Sequence, residues 1–180
     1  METFTPLIMS HGEGGHFVNT ASMAGMISPP GMEPYCATKF AVVAMSEGWH
    51  GQLAPFNIGV SALCPGFVKT RIHESQRTKQ SRYGTQATES ASGLGETREQ
   101  AAQLVLSGIP PEPVGKRVVE GIKDNDLYIF THVEYKALVE MRFQGILAAF
   151  DKSKTSEALG VLPPRDLSSL APGPAAPPKI

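Results

Sequence analysis

The chain has 180 residues, of which 41% are hydrophobic and 18% are charged. A chain of this length and composition is expected to fold as one domain with a substantial core. Its 16 basic and 17 acidic residues give a net charge of −1, so it lacks the basic surface typical of proteins that bind nucleic acids or anionic membranes. The sequence predicts neither a signal peptide nor a transmembrane helix. Cys36 and Cys64 lack the spacing of a redox or zinc motif, which favours a reduced, cytoplasmic protein.

Residues 1–13 predict the end of a helix that leads into a strand, and a cluster of glycines lies between the two elements. These glycines are Gly12, Gly14 and Gly15. They do not match the dinucleotide fingerprint G-x-G-x-x-G, because the position of its third glycine holds Phe17. They also precede a strand, whereas a pyrophosphate site needs them after a strand, at the start of a helix. We therefore interpret them as a turn.

The next stretch predicts a strand, an irregular loop and a helix. His16–Ala21 is short and mostly apolar, as is typical of a central strand in a parallel sheet. Met23–Glu33 contains two prolines and two glycines, which exclude a regular element. Pro34 is suited to the first turn of a helix, where a backbone N–H would be unpaired in any case. Tyr35 and Lys39 follow four residues apart, so we expect both side chains on one face of that helix.

This helix is expected to run toward Leu53, where Pro55 and Asn57 end it, and a second apolar strand is predicted at Ile58–Cys64. Strand, helix and strand in this order are typical of a parallel crossover. The polar, weakly periodic stretch Arg71–Ile109 is too long for a simple connection and predicts a lid.

The remainder predicts a helix, a third strand, a helix and a tail. Proline residues introduce a helix that contains Val118, Val119 and Ile122, and Leu127–Phe130 predicts the strand. Thr131 and Glu134 have the spacing of a capping box, which would begin a helix that ends near Phe150. The last thirty residues contain six prolines, which predicts a disordered tail at 151–180.

Two motifs resemble a known family. Ser22, preceded by Asn-Thr-Ala, is followed by Tyr35 and then by Lys39. This arrangement resembles the catalytic core of the short-chain dehydrogenase/reductase family. Pro65-Gly66-Phe67-Val68-Lys69-Thr70, directly after the second strand, resembles the nicotinamide-side loop of that family.

The resemblance implies an α/β fold, namely a Rossmann-like doubly wound parallel sheet, and an NAD- or NADP-dependent oxidoreductase that acts on a small alcohol or carbonyl compound. Tyr35 would be the general acid/base, Lys39 would favour its phenolate and bind the nicotinamide ribose, and Ser22 would hold the substrate oxygen. The resemblance further implies that the cofactor is contacted by Tyr35, Lys39, Pro65, Gly66, Val68 and Thr70. A homo-oligomer through the Tyr35 helix is also implied, whereas the choice between NAD and NADP stays open.

Other chemistries are weighed against this interpretation. Ser22 lacks the Gly-x-Ser-x-Gly elbow of a hydrolase nucleophile. The five histidines show no metal-ligand spacing, so no metal site is predicted and each histidine is expected at the surface or in a turn.

The resemblance covers 4–150 and is limited to the C-terminal half of a family member. Residues 1–150 would form an N-terminally truncated domain of about three strands with flanking helices, in which 71–110 is the substrate lid. The resemblance includes no counterpart of the glycine-rich turn in the family's cofactor-binding half. It also includes no counterpart of the asparagine that lies upstream of the serine and completes the family's proton relay. Three explanations are consistent with this: a sequence fragment, which we favour, a degenerate non-enzymatic protein, or a half that assembles with another chain. The alternative to an active enzyme is therefore a catalytically incompetent fragment or remnant.

Overall fold

The computed structural model describes residues 3–74, 80, 82, 98–160, 163 and 165–168. The helices are α1 (Thr5–His11), α2 (Glu33–Leu53), α3 (Arg98–Leu106), α4 (Pro111–Lys123) and α5 (Lys136–Lys154), and the strands are β1 (Gly15–Thr20), β2 (Ile58–Cys64) and β3 (Tyr128–Phe130). Single turns of 3-10 helix lie at Met23–Gly25, Ala54–Phe56 and Val133–Tyr135.

Within these residues the three strands form one parallel sheet in the order β1-β2-β3. Gly15 pairs with Ile58 at the start of the sheet, and Ala62 pairs with Tyr128. The predicted strands, the parallel crossover and the α/β fold are thereby confirmed. Because the strands are parallel, their carboxyl ends share one edge, and ligands of open α/β sheets bind at that edge.

Helices cover both faces of the sheet. On one face Val43 of α2 packs in a buried cluster with Ala62 and Cys64 of β2. On the other face α4 approaches β3 so closely that a Cβ atom at Gly121 would lie 2.7 Å from the Ile129 side chain. The sheet is therefore the middle of three layers, as the Rossmann-like prediction requires.

The predicted turns and the bounds of α2 are confirmed. Gly12 ends α1 with a φ of 75°, and Gly14 has a φ of 82°, so this cluster forms a turn in the left-handed region that glycine favours. Pro34 stands in the first turn of α2. Asn57 has a φ of 56° and reverses the chain into β2.

Two predictions about local structure are wrong. The loop after Ser22 contains a 3-10 turn at Met23–Gly25, stabilised by the Ser22 hydroxyl, where no regular element was expected. Thr131 does not cap α5, which begins only at Lys136, and no side chain caps the intervening 3-10 turn. Glu134 therefore lies before the helix, whereas a capping box places the acidic residue inside the first turn.

The predicted lid and tail lie largely outside the described residues. Of the predicted substrate lid at 71–110, the segments 75–79, 81 and 83–97 are not described, and α3 lies in its second half. In the predicted disordered tail at 151–180, α5 continues to Lys154, beyond the expected end near Phe150. Residues 161, 162, 164 and 169–180 are not described.

Candidate active site

The Lys39 ammonium lies where α2 meets the carboxyl end of β1. Its Nζ atom donates a hydrogen bond of 3.1 Å to the carbonyl oxygen of Thr20, the last residue of β1. The same atom lies 5.7 Å from the centroid of the Tyr35 ring. The two side chains therefore share one face of α2, as predicted, and that face is turned toward the residues that follow β1.

Ser22 is fixed by the turn that it begins. Its backbone is extended, and its hydroxyl oxygen accepts a hydrogen bond of 3.1 Å from the N–H of Ala24. The turn packs directly on α2, because a Cβ atom at Gly25 would lie 2.7 Å from the backbone oxygen of Lys39. Since the bond to Ala24 uses the hydroxyl as an acceptor, its proton remains available to a ligand.

The loops after β1 and β2 are joined through the backbone. The N–H of Met23 donates to the carbonyl oxygen of Pro65 over 2.9 Å. The first residue of the loop that follows β2 is thereby tied to the Ser22 turn. These two loops and the first turns of α2 thus lie together at the carboxyl edge of the sheet.

Tyr35 is 41% exposed, whereas the neighbouring Cys36 is buried. The position of Tyr35 in the first turn of α2 leaves its phenol accessible to a small molecule. An exposed phenol near an ammonium can exchange a proton with a bound alcohol or carbonyl oxygen.

The loop from Pro65 to Thr70 has well-defined hydrogen bonds. Phe67 accepts a bond of 3.0 Å from the N–H of Ile109, and Lys69 donates one of 2.9 Å to the carbonyl of Ile109. Val68, between them, forms an isolated parallel bridge with Ile109, and its own N–H and C=O make no hydrogen bond within the described residues. The Thr70 hydroxyl oxygen accepts from the N–H of Ile72 over 3.4 Å.

The expectation that each histidine lies at the surface or in a turn is wrong for His50 and His132, each of which is only 8% exposed. His50 lies in α2, and its Nδ1 atom is 2.8 Å from the carbonyl oxygen of Val60. His132 follows β3 and contacts the loop after β2. The backbone partner of His50 lies 10 positions away and those of His132 lie 65 and 66 positions away, so no local motif indicates these contacts.

A polar pair that sequence reasoning missed joins β1 to α2. The Asn19 amide donates to the Ser46 hydroxyl over 3.0 Å, and this hydroxyl donates to the Val42 carbonyl over 2.7 Å. Ser46 is completely buried. Because buried polar groups need partners, this pair helps to fix how α2 lies against the strand that leads to Ser22.

Burial shapes the chemistry near the end of β2. It raises the pKa of the Cys64 thiol to about 11, and both cysteines are free and buried. The cytoplasmic compartment inferred from the cysteines stays a prediction.

In the described part of the chain, no group of three or more histidine, cysteine, aspartate or glutamate side chains is placed to hold a metal ion. No helix there is both long and apolar enough to cross a membrane.

Comparisons with known proteins agree with the fold. A family model described as short chain dehydrogenase matches residues 1–81, a range that contains every predicted site residue from Ser22 to Thr70. The C alpha-dehydrogenase of Sphingobium sp. is 33% identical over 150 residues, which are 82% of this chain and 47% of that protein. The CLA biosynthesis dehydrogenase/reductase of Lactiplantibacillus plantarum is 30% identical over 151 residues, which are 82% of this chain and 53% of that protein.

A solved structure shows the same fold. The crystal structure of a short chain dehydrogenase/reductase from Burkholderia phymatum in complex with NAD matches with a TM-score of 0.74 and 31% identity. The match covers 92% of this chain and 57% of that protein. The chain spans about half the length of the curated relatives it matches. The expectation that it corresponds only to the C-terminal half of a family member is not tested by these matches and stays a prediction.

Proposed function

Because the chain belongs to the short-chain dehydrogenase family, we propose that it acts as an NAD(P)-dependent oxidoreductase on an alcohol or carbonyl group. The observation that carries this proposal is the position of the Lys39 ammonium. It lies 5.7 Å from the Tyr35 ring centroid and 3.1 Å from the Thr20 carbonyl, two residues before Ser22. The cation thus lies beside the Tyr35 ring and at the end of the strand that leads to Ser22.

The proposed chemistry divides an alcohol oxidation between a hydride and a proton. When bound, the nicotinamide would accept the hydride from the alcohol carbon, or supply it in the reverse direction. The Tyr35 oxygen takes the hydroxyl proton during oxidation and returns it during reduction. The Lys39 cation favours the negative charge that Tyr35 carries when it acts as a base, and the Ser22 hydroxyl donates a hydrogen bond to the substrate oxygen.

The loop after β2 supplies groups that fit a nicotinamide carboxamide. Val68 has a backbone N–H and C=O that make no hydrogen bond within the described residues, and an amide needs both an acceptor and a donor. The Thr70 hydroxyl accepts from Ile72 and keeps its proton for a ligand. Pro65 and Gly66, which begin the loop, would form the wall against which the ring packs. Lys39 has further ammonium protons for a ribose hydroxyl.

A second copy of the chain is proposed as a partner through α2. Five exposed small residues follow one another at steps of four and three along this helix, so they form a single stripe. They are Ala37, Ala41, Ala44, Gly48 and Gly51. Small residues allow two helices to approach closely. An Ala44→Arg variant that sediments as a smaller species than the wild type would support this interface, and an unchanged sedimentation coefficient would contradict it.

The experiment that tests the proposed function is a titration of the purified chain with NADH and NADPH, followed by nicotinamide fluorescence. Turnover is then measured on a panel of secondary alcohols and ketones. We expect Tyr35→Phe to retain cofactor binding but to lose activity by about 10²–10⁴-fold, since this is the usual contribution of a positioned acid/base. Tyr128→Phe is the matched control, because the Tyr128 hydroxyl bonds to Glu47, outside the proposed site.

The outcomes separate the two interpretations. Saturable binding with turnover that depends on Tyr35 supports the oxidoreductase. A folded chain that binds neither nucleotide overturns it and supports the catalytically incompetent remnant. Comparing the two titrations also decides between NAD and NADP.

A further inference from the structure

His132 holds the loop after β2 through two backbone groups. The Gly66 N–H lies 3.1 Å from the Nδ1 atom of His132, and the carbonyl oxygen of Phe67 lies 3.1 Å from the Nε2 atom. The ring is 8% exposed. One imidazole thus bonds to consecutive residues of a loop that lies 66 positions away in the sequence.

These contacts fix the tautomer of His132. A backbone N–H can only donate, so Nδ1 must carry a lone pair, and a carbonyl oxygen can only accept, so Nε2 must carry the proton. The Thr131 hydroxyl oxygen lies 2.8 Å from Nδ1, and it donates to the same lone pair. The contacts of the ring with Gly66, Phe67 and Thr131 are therefore all consistent with a proton on Nε2 and a lone pair on Nδ1.

The fit between ring and loop requires a glycine. A Cβ atom at Gly66 would lie 2.9 Å from Cγ and Cδ2 of His132, which is too close for a real contact. The ring also meets Tyr135 edge to face, with centroids 6.1 Å apart and planes at 86°, and the same Cβ atom would lie 3.1 Å from Cε2 of Tyr135. The loop at Gly66 thus packs against both His132 and the turn that precedes α5.

Ile109 also holds the loop, and it shares the Phe67 carbonyl oxygen with His132. Its backbone N–H and C=O bond to Phe67 and Lys69, on either side of Val68. With Gly66 and Phe67 held by His132 as well, the loop is restrained from Gly66 to Lys69. Val68 is left with backbone groups that have no partner within the described residues.

We propose that His132 is a positioning residue that holds the loop from Gly66 to Val68 in the conformation in which it receives the nicotinamide. This inference rests on the proposed function, since it assigns His132 a part in the same site. His132 itself does not touch the cofactor. It acts by occupying the Gly66 N–H and the Phe67 carbonyl, so that the Val68 backbone is presented in one fixed orientation.

His132→Phe is the decisive variant, because it keeps a planar ring but removes both hydrogen bonds. His50→Phe is its matched control. His50 has the same 8% exposure and also bonds to a backbone carbonyl, that of Val60 in the first half of β2. His132→Asn is the rescue variant, because its side-chain oxygen can stand where Nδ1 accepts the Gly66 N–H.

Two readouts are measured for each variant. The first is hydrogen exchange of the Gly66 amide by NMR, together with the tautomer of His132 in the wild type. The second is the dissociation constant of the preferred nucleotide from the fluorescence titration. We expect His132→Phe to raise both the Gly66 exchange rate and the dissociation constant by about tenfold, the usual effect of losing a hydrogen bond. His132→Asn should recover part of both effects, and His50→Phe should change neither.

Each outcome has a distinct meaning. If the wild type binds nucleotide and His132→Phe binds it equally well, the positioning role is overturned and the proposed function stands. An equal loss of affinity in His50→Phe would also overturn it, because the effect would then be general destabilisation. If the folded wild type binds no nucleotide, the proposed function fails, and this inference fails with it.

Discussion

The Nζ atom of Lys39 lies 3.1 Å from the carbonyl oxygen of Thr20, so one side chain joins α2 to the carboxyl end of β1. This contact crosses from the helix that carries Tyr35 to the strand that ends just before Ser22. An apolar side chain of similar length could pack there but could not donate the bond. The position of the ammonium therefore depends on the helix and the strand together.

We predict that Lys39→Met weakens nucleotide binding by about tenfold or more. The variant keeps most of the aliphatic stem but loses the cation, and a hydrogen bond that involves a charged group contributes about 1.5–3 kcal/mol. The dissociation constant is measured by nicotinamide fluorescence. Lys116→Met is the control, because Lys116 pairs with Glu112 in an exposed position on α4. Equal affinity of Lys39→Met and wild type would contradict a role for Lys39 in the cofactor site.

We predict that Gly25→Ala destabilises the Ser22 turn. The new Cβ would lie 2.7 Å from the backbone oxygen of Lys39 and 2.9 Å from Cγ2 of Val43. Because a backbone atom cannot give way cheaply, the turn must shift, and overpacking of this kind costs about 1–3 kcal/mol. Urea denaturation measures the change in the free energy of unfolding.

Gly145→Ala is the matched control for this variant. Gly145 lies in α5, and a Cβ atom there would have no neighbour within 4 Å. Alanine should stabilise that helix by about 1 kcal/mol, since glycine is the poorer helix former. If Gly25→Ala were as stable as the wild type, the close packing of the turn on α2 would be wrong.

The strands and the helix around Ser22 were predictable because local patterns and tertiary structure agree there, whereas the 3-10 turn that Ser22 begins was not. The apolar runs at β1 and β2, and Pro34 at the start of α2, each give a local signal that the structure follows. The roles of the site residues stay predictions, although the structure does bring Tyr35 and Lys39 together.

The position of His132 could not be predicted, because its partners are Gly66 and Phe67, far away in the sequence. The capping-box prediction at Thr131 also failed, although the partner involved is the next residue in the sequence. A local motif suggested that its hydroxyl would cap α5, but this hydroxyl lies against the His132 ring. Contacts between distant loops depend on the assembled sheet, and short-range spacing carries no information about them.

We predict that neither cysteine reacts with a thiol reagent while the chain is folded. Cys36 is 1% exposed and Cys64 is 0% exposed, and burial raises the pKa of Cys64 to about 11. At pH 8 roughly one Cys64 thiol in a thousand would be ionised, and the thiolate is the reactive form. The rate of colour release from an aromatic disulfide reagent, with and without denaturant, measures this protection.

A Cys36→Ala variant isolates Cys64 in this assay, and Cys64→Ala isolates Cys36. We expect each remaining thiol to react at least about a hundredfold faster in denaturant than in buffer, because a buried thiol reacts only after opening. Fast labelling of Cys64 in a folded Cys36→Ala chain would show that the end of β2 is open to solvent.

We predict that the chain loses stability as the pH falls below about 6.5, and that His16 is one cause. The Nε2 atom of His16 lies 2.7 Å from the Ser61 hydroxyl, which itself donates to the Asp126 carbonyl. Burial, and then the charge of His50, lower the pKa of His16. The unfolded chain therefore binds this proton more readily than the folded chain. The stability contributed by neutral His16 is complete above the unfolded pKa of about 6.5 and is lost as the pH falls through the lower folded value.

The test is urea denaturation at several values between pH 8 and pH 5. His16→Gln can still donate to Ser61 but does not titrate, so its free energy of unfolding should fall less steeply than that of the wild type below pH 6.5. His11→Gln, at an exposed position in α1, controls for the loss of a histidine and should follow the wild-type slope. Parallel curves for His16→Gln and the wild type would mean that His16 is not responsible for the acid sensitivity. A steeper fall in His16→Gln would reverse the sign of the argument and show that the folded chain accepts the proton more readily.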